Sequence, residues 1–222
     1  MDNFNINKHN VSQKERVLEM ARKDIVSFGQ LFMPEDFMKS TPAPYQYELS
    51  DALLSGNSKR ICIILPRGHG KSTLAKAALM HKLYFNPEGK KEFIAWVAEE
   101  QSQAIDHIKY IQGDRIIAKG TSQRLRGRSQ LGLRYTNIIL DDFESELNTK
   151  TPDRRKEIKE WVMSTVEPAL ENSKENEGSI WLIGTIVHFD SFLQGIYDGF
   201  SEAKKQERRY AWHVIYHKAI DS

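Results

Sequence analysis

Residues 60–74 constrain this chain more than any other stretch. A β-branched apolar run, Ile61-Cys62-Ile63-Ile64-Leu65, ends at Pro66 and passes through Gly68 and Gly70 into Lys71-Ser72-Thr73-Leu74, then into Ala/Leu/Lys-rich sequence. The order reads as strand, tight turn, helix. Backbone N–H groups of such a turn, together with the positive end of the helix, form an anion cradle. The expected chemistry is nucleotide phosphate binding, with Pro66, Arg67, Gly68, His69, Gly70, Lys71, Ser72 and Thr73 as the contact set. Lys71 would reach the β- and γ-phosphates, and the Ser72 hydroxyl would sit on Mg²⁺. The strict phosphate-loop pattern places glycine five residues before Gly70, and Leu65 stands there instead. Arg67 adds a second cation for the γ-phosphate.

A nucleotide hydrolase also needs a carboxylate at the end of a nearby strand. Asn137-Ile138-Ile139-Leu140 supplies the strand and Asp141-Asp142-Phe143-Glu144 the acids, about 70 residues after Lys71. Asp141 is the natural Mg²⁺ partner. Either Asp142 or Glu144 could orient or deprotonate water. Two smaller features agree. Gln46, in Pro44-Tyr45-Gln46, can donate and accept at once and so read an adenine edge. Trp181-Leu182-Ile183 is a strand ending in Gly184-Thr185, where a hydroxyl could sense the γ-phosphate. Between Lys119 and Arg134 lie Arg124, Arg126 and Arg128 and no acid. That run reads as a solvated loop, a DNA phosphate contact, or an arginine offered to a neighbour's ATP.

The remaining sequence sets the frame. The 222 residues are enough for a substantial core, and the net charge of +2 gives no general mandate for polyanions. Cys62 lies in an apolar strand and reads as an inert buried thiol. No apolar run is long enough to span a bilayer. Residues 1–11 read as a disordered tail and residues 12–222 as one P-loop domain, with 12–40 a helical segment packed on it. Residues 12–32 show helical spacing, 156–170 a helix, and 172–178 a polar loop. The alternation of strands and helices predicts an α/β fold with a mainly parallel central sheet and helices on both faces. With the phosphate-loop and acidic-strand motifs added, the expected class is an ASCE-type P-loop NTPase.

Taken together, these segments resemble the ATPase motor domain of the large terminase subunit of tailed bacteriophages, from about Phe28 to Ile220. The residues that carry the resemblance are Pro44-Tyr45-Gln46, the loop from Leu65 to Thr73, Arg126-Gly127, Ile138 to Glu144, and Gly184-Thr185 followed by His188 and Asp190. That family's loop commonly lacks its first glycine and carries an arginine where Arg67 stands. The resemblance implies an ATP- and Mg²⁺-dependent motor that drives double-stranded DNA through a portal protein into a procapsid. It implies work in the host cytoplasm, docking on the procapsid, a small terminase subunit as partner and a homo-oligomeric ring, with a monomer in isolation. Gln46 would read adenine, Gly184-Thr185 would couple hydrolysis to motion, and Arg126 or Arg128 would act across a subunit boundary. Family members usually carry a nuclease domain as well; this chain stops at Ser222, and no DNA cleavage is expected of it. The alternatives are a helicase-like DNA translocase, a small-molecule P-loop kinase, and a nucleotide-gated assembly factor without turnover.

Overall fold

A computed structural model describes residues 3–86, 92–108, 115–125, 134–173 and 176–218. The chain divides into two compact units. One holds α1 (Asn3–Lys23), α2 (Ile25–Phe32), α3 (Pro34–Phe37), α4 (Pro44–Leu54) and, from Thr73 onward, α5 (Lys71–Tyr84). The other runs from Gly56 to Ser72 and resumes before β2, so the first two residues of α5 belong to it.

In the helical unit, α1 begins at Asn3, where an unstructured tail up to residue 11 was expected. Residues 3–11 contain neither glycine nor proline, so nothing breaks the helix as it propagates backward. The helical spacing over 12–32 resolves into two helices because Asp24 leaves the helix in extended conformation and caps α2. Its carboxylate accepts from the N–H groups of Val26 and Ser27. The buried Ser50 hydroxyl on α4 accepts from Ile25 N at 2.8 Å. Phe28 packs against Phe32, His81, Tyr84 and Phe85. Gly29 lies under the Phe37 ring, where an added Cβ would come within 2.6 Å of it.

The second unit is built on β1 (Arg60–Ile64), β2 (Phe93–Ala98), β3 (Arg115–Gly120), β4 (Asn137–Asp141), β7 (Ser179–Gly184) and β8 (His213–Tyr216). These form a six-stranded sheet in the order β3-β2-β4-β7-β1-β8. Every pairing is parallel. All residues of β2 and β4 are buried, as continuous apolar strands with two covered faces must be. Cys62 and Ile64, Ala95 and Val97, Ile138 and Leu140, and Ile180 and Leu182 share one face. They pack on α7 (Pro152–Trp161), the turns that follow it, and α8 (Phe192–Lys205). Trp96 points to the opposite face, where it meets α6 (Gln101–Ile108). The expected α/β architecture, with a parallel sheet and helices on both faces, is therefore what forms.

Two local expectations differ. The helix expected over 156–170 starts earlier and changes pitch: α7 gives way to a π turn (Val162–Val166) and a 3-10 turn (Glu167–Ala169). Pro168, which has no N–H to donate, ends regular helix there. The polar loop over 172–178 contains a small antiparallel ribbon, β5 (Asn172–Ser173) with β6 (Asn176–Glu177). Cys62 is fully buried and burial pushes its thiol pKa up, as an inert thiol requires. Among the described residues no helix is long and apolar enough to cross a membrane.

Candidate phosphate and metal site

Strand order brings the candidate residues together. β7 lies between β1 and β4, so the carboxyl ends of three adjacent strands present the 65–72 turn, Gly184-Thr185 and Asp141-Asp142 side by side. In open parallel sheets this edge is where ligands bind.

Leu65 resolves the broken glycine pattern. It is buried and continues β1, donating its N–H to Gly184 O at 3.1 Å. Positive φ occurs later in the turn, at Gly68 (79°) and Gly70 (65°). An added Cβ at either would meet nothing within 4 Å. Those two glycines therefore serve the backbone conformation, and the position of Leu65 makes no such demand.

Lys71 is buried, its ammonium folded back over the turn. Lys71 Nζ donates to Pro66 O at 3.2 Å and to Thr185 Oγ1 at 3.0 Å, and lies 3.9 Å from Asp142 Oδ1. Thr185 Oγ1 in turn donates to Leu65 O at 2.8 Å. One hydroxyl thus links the end of β7 to both the start of the turn and its lysine. Gly184 has a packing reason to be glycine: an added Cβ would meet Leu193 of α8 at 2.6 Å.

Ser72 Oγ donates to Asp141 Oδ1 at 2.9 Å. The second oxygen, Oδ2, lies 3.5 Å from His107 Nε2. Burial, and next the charge of Asp142, push the Asp141 carboxyl up to about 7, against the opposing pull of Ser72, Lys71 and Trp96. A desolvated carboxylate beside a second one has an unmet demand for a cation. The donors here are hard oxygens, a hydroxyl and carboxylates, which suit Mg²⁺ completed by phosphate and water. Among the described residues no group of three or more His, Cys, Asp or Glu side chains could hold a metal alone, so Ser72 and Asp141 fit only an ion whose remaining ligands are phosphate and water.

Asp142 is exposed, with φ of 42°. Its N–H is tied to Ile183 O at 2.8 Å, which fixes the left-handed turn out of β4. Glu144 is placed elsewhere. Its carboxylate is buried and accepts from Phe192 N at 2.7 Å and Leu193 N at 2.9 Å, the first amides of α8. Ser191 caps the same helix through Gln194 N. Of the two candidate water-positioning acids, the structure brings Asp142 to the turn and commits Glu144 to a helix terminus.

Arg67 is exposed and faces Glu146 at 3.6 Å, and His69 Nδ1 lies 3.1 Å from Arg67 O. Thr73 follows on α5. Gln46 belongs to the helical unit, where its Oε1 accepts from Ala43 N at 2.9 Å at the start of α4. Arg126 and Arg128 lie outside the described residues.

Sequence reasoning missed three participants. His107 stacks on Trp96, with ring centroids 5.2 Å apart, and faces Asp141 from α6. Arg155 and Lys159 on α7 both bond Asp190, each at 2.9 Å, and Arg155 also donates to Thr149 O. Only Asp190 carried a signal, through the motif after Gly184-Thr185; its partners are set by the packing of α7. Compared with known protein families and with curated proteins, the chain matches none.

Proposed function

We propose that this chain is a Mg²⁺-dependent ATPase of the ASCE-type P-loop class, acting as the motor domain of a tailed-phage DNA-packaging terminase. The observation that carries the nucleotide reading is the convergence of Lys71, Ser72, Asp141, Asp142 and Thr185 on three neighbouring strand ends. The insertion of β7 between β1 and β4, which brings Thr185 to both Lys71 and Leu65, supports this reading. The ordered motifs from Pro44 to Asp190 support the narrower terminase reading.

The chain's own groups divide the work. The turn's backbone and Lys71 bind and orient the triphosphate. Mg²⁺, when bound, neutralises charge developing on the phosphates. Ser72 and Asp141 would hold it, with the Ser72 hydroxyl donating its proton to the hydrogen bond with Asp141 Oδ1. Asp142 orients the attacking water and accepts its proton. Arg67 adds positive charge from the solvent side. Lys71 must exchange Pro66 O and Thr185 Oγ1 for phosphate oxygen, so occupancy of the turn is felt at the end of β7. That exchange is the proposed link from hydrolysis to the movement that grips DNA through its phosphates.

Lys71→Ala is the direct test. ATP turnover should fall by at least about 100-fold, the scale of a lost charge-stabilising donor, with an unchanged circular dichroism spectrum. Normal turnover in that folded variant would refute the assignment. Double-stranded DNA should raise the parent's turnover, whereas strand unwinding would favour a helicase-like translocase and a requirement for a small-molecule acceptor a kinase.

A further inference from the structure

The proposed metal-site carboxylate is held from a side that the motifs do not name. Asp141 Oδ1 is taken by Ser72. Oδ2 faces the imidazole of His107, a residue 34 positions earlier in the chain, at 3.5 Å from Nε2. That imidazole lies nearly parallel to the Trp96 indole, at an interplanar angle of 25°. Trp96 is fully buried in the middle of β2, so its ring is a fixed platform. Its indole Nε1 is buried and forms no hydrogen bond among the described residues. A half-buried imidazole, seated on a buried indole, therefore directs a nitrogen at this carboxylate.

Rotation about the Cβ–Cγ bond of Asp141 swings both oxygens, and the Ser72 hydrogen bond resists it at Oδ1. A second contact at Oδ2 restrains the same rotation from the other side and so narrows the directions in which the remaining lone pairs point. Partners of this kind are known to tune metal sites about as strongly as some ligands do. We infer that His107, stacked on Trp96, is a positioning residue that orients Asp141 for Mg²⁺-dependent nucleotide binding. The inference rests on the nucleotide reading above. His107 acts through Asp141, and neither the nucleotide nor the ion needs to touch it.

Two substitutions separate the nitrogen from the ring. His107→Phe keeps a flat ring on Trp96 and removes the nitrogen; His107→Gln gives up the ring and keeps an N–H at similar reach. The readout is the Mg²⁺ concentration that gives half-maximal binding of a fluorescent, non-hydrolysable ATP analogue. Binding without Mg²⁺ and the melting temperature without ligand are measured alongside. The phenylalanine variant should need about tenfold more Mg²⁺ or above, with Mg²⁺-free binding unchanged. The glutamine variant should recover most of that loss. Parent-like Mg²⁺ dependence in the folded phenylalanine variant would overturn the role of His107 while leaving the nucleotide site standing. Equal losses in both variants, tracking a lower melting temperature, would overturn it too, by showing a purely structural residue. If the parent binds no analogue at any Mg²⁺ concentration, the nucleotide reading fails and this inference with it.

Discussion

Asp142 occupies a backbone region that most side chains avoid, with φ of 42°. Aspartate and asparagine enter it more easily than longer side chains, which is a reason for aspartate here where a glutamate would reach further. Asp142→Asn therefore keeps the turn and removes only the carboxylate's basicity. Turnover should drop by about 100-fold or more, while the melting temperature holds or rises slightly, because a like charge beside buried Asp141 is gone. Glu144→Gln should do the reverse. Its amide turns a donor toward an amide N–H of Phe192 or Leu193, leaving a buried group unpaired at a cost of about 1–3 kcal/mol. The melting temperature should fall by several degrees with much of the turnover retained. Parallel turnover assays and thermal melts decide it, and the opposite pattern would make Glu144 the catalytic acid. Both acids were visible in the sequence, but their division of labour was not. Adjacency to a strand end says that a carboxylate is near an edge; the first turn of α8, almost fifty residues later, decides which way Glu144 points.

At the scale of elements, α7 is tied to the segment after β7 by charge. Lys159 and Arg155 hold the Asp190 carboxyl down to about 2 from an ordinary 3.8. A depressed carboxylate stabilises the fold at pH above its unfolded value and loses that contribution as pH falls through the folded one. The contribution should therefore fade between about pH 4 and pH 2. Asp141, raised to about 7, has the opposite sign and another window. Without metal, its protonation favours the fold fully below pH 3.8, and this is lost as pH rises toward 7. Urea melts of parent and Asp190→Asn across acid pH test the separation. The variant should be less stable at pH 5, and the gap should close below pH 2; a gap independent of pH would show that the ion pairs do not report Asp190 ionisation. Boundaries such as the break at Asp24 were legible in principle, since an acidic cap before an apolar helix is a local signal. The change of pitch after Trp161 was not. Residues 162–166, Val-Met-Ser-Thr-Val, contain no glycine or proline to mark a break, and their π turn accompanies the packing of Val162 and Val166 against the sheet.

For the whole molecule, the sequence order of the strands says little about their order in space. The strands that lead into the 65–72 turn, the acidic segment and Gly184-Thr185 begin at residues 60, 137 and 179, yet the third lies between the first two. Apolar runs identify buried parallel strands; the permutation comes from crossover connections that no window of sequence contains. The hydrogen bonds and ion pairs that join Lys71, Ser72, His107, Asp141, Asp142 and Thr185 fall within the sheet-bearing unit. Ligand should accordingly stabilise that unit against unfolding. An ATP analogue with Mg²⁺ at a hundred times its dissociation constant contributes about 2.7 kcal/mol. For a chain of this size, that raises the melting temperature by roughly 5–10 °C. Calorimetry carries further information because the chain has two compact units. If they unfold as one cooperative body, the single transition should move. If they unfold separately, one transition should move and the helical unit's should stay. Lys71→Ala should show neither shift. A ligand-induced rise confined to the helical unit's transition would place the nucleotide away from the 65–72 turn and remove the basis for the motor reading.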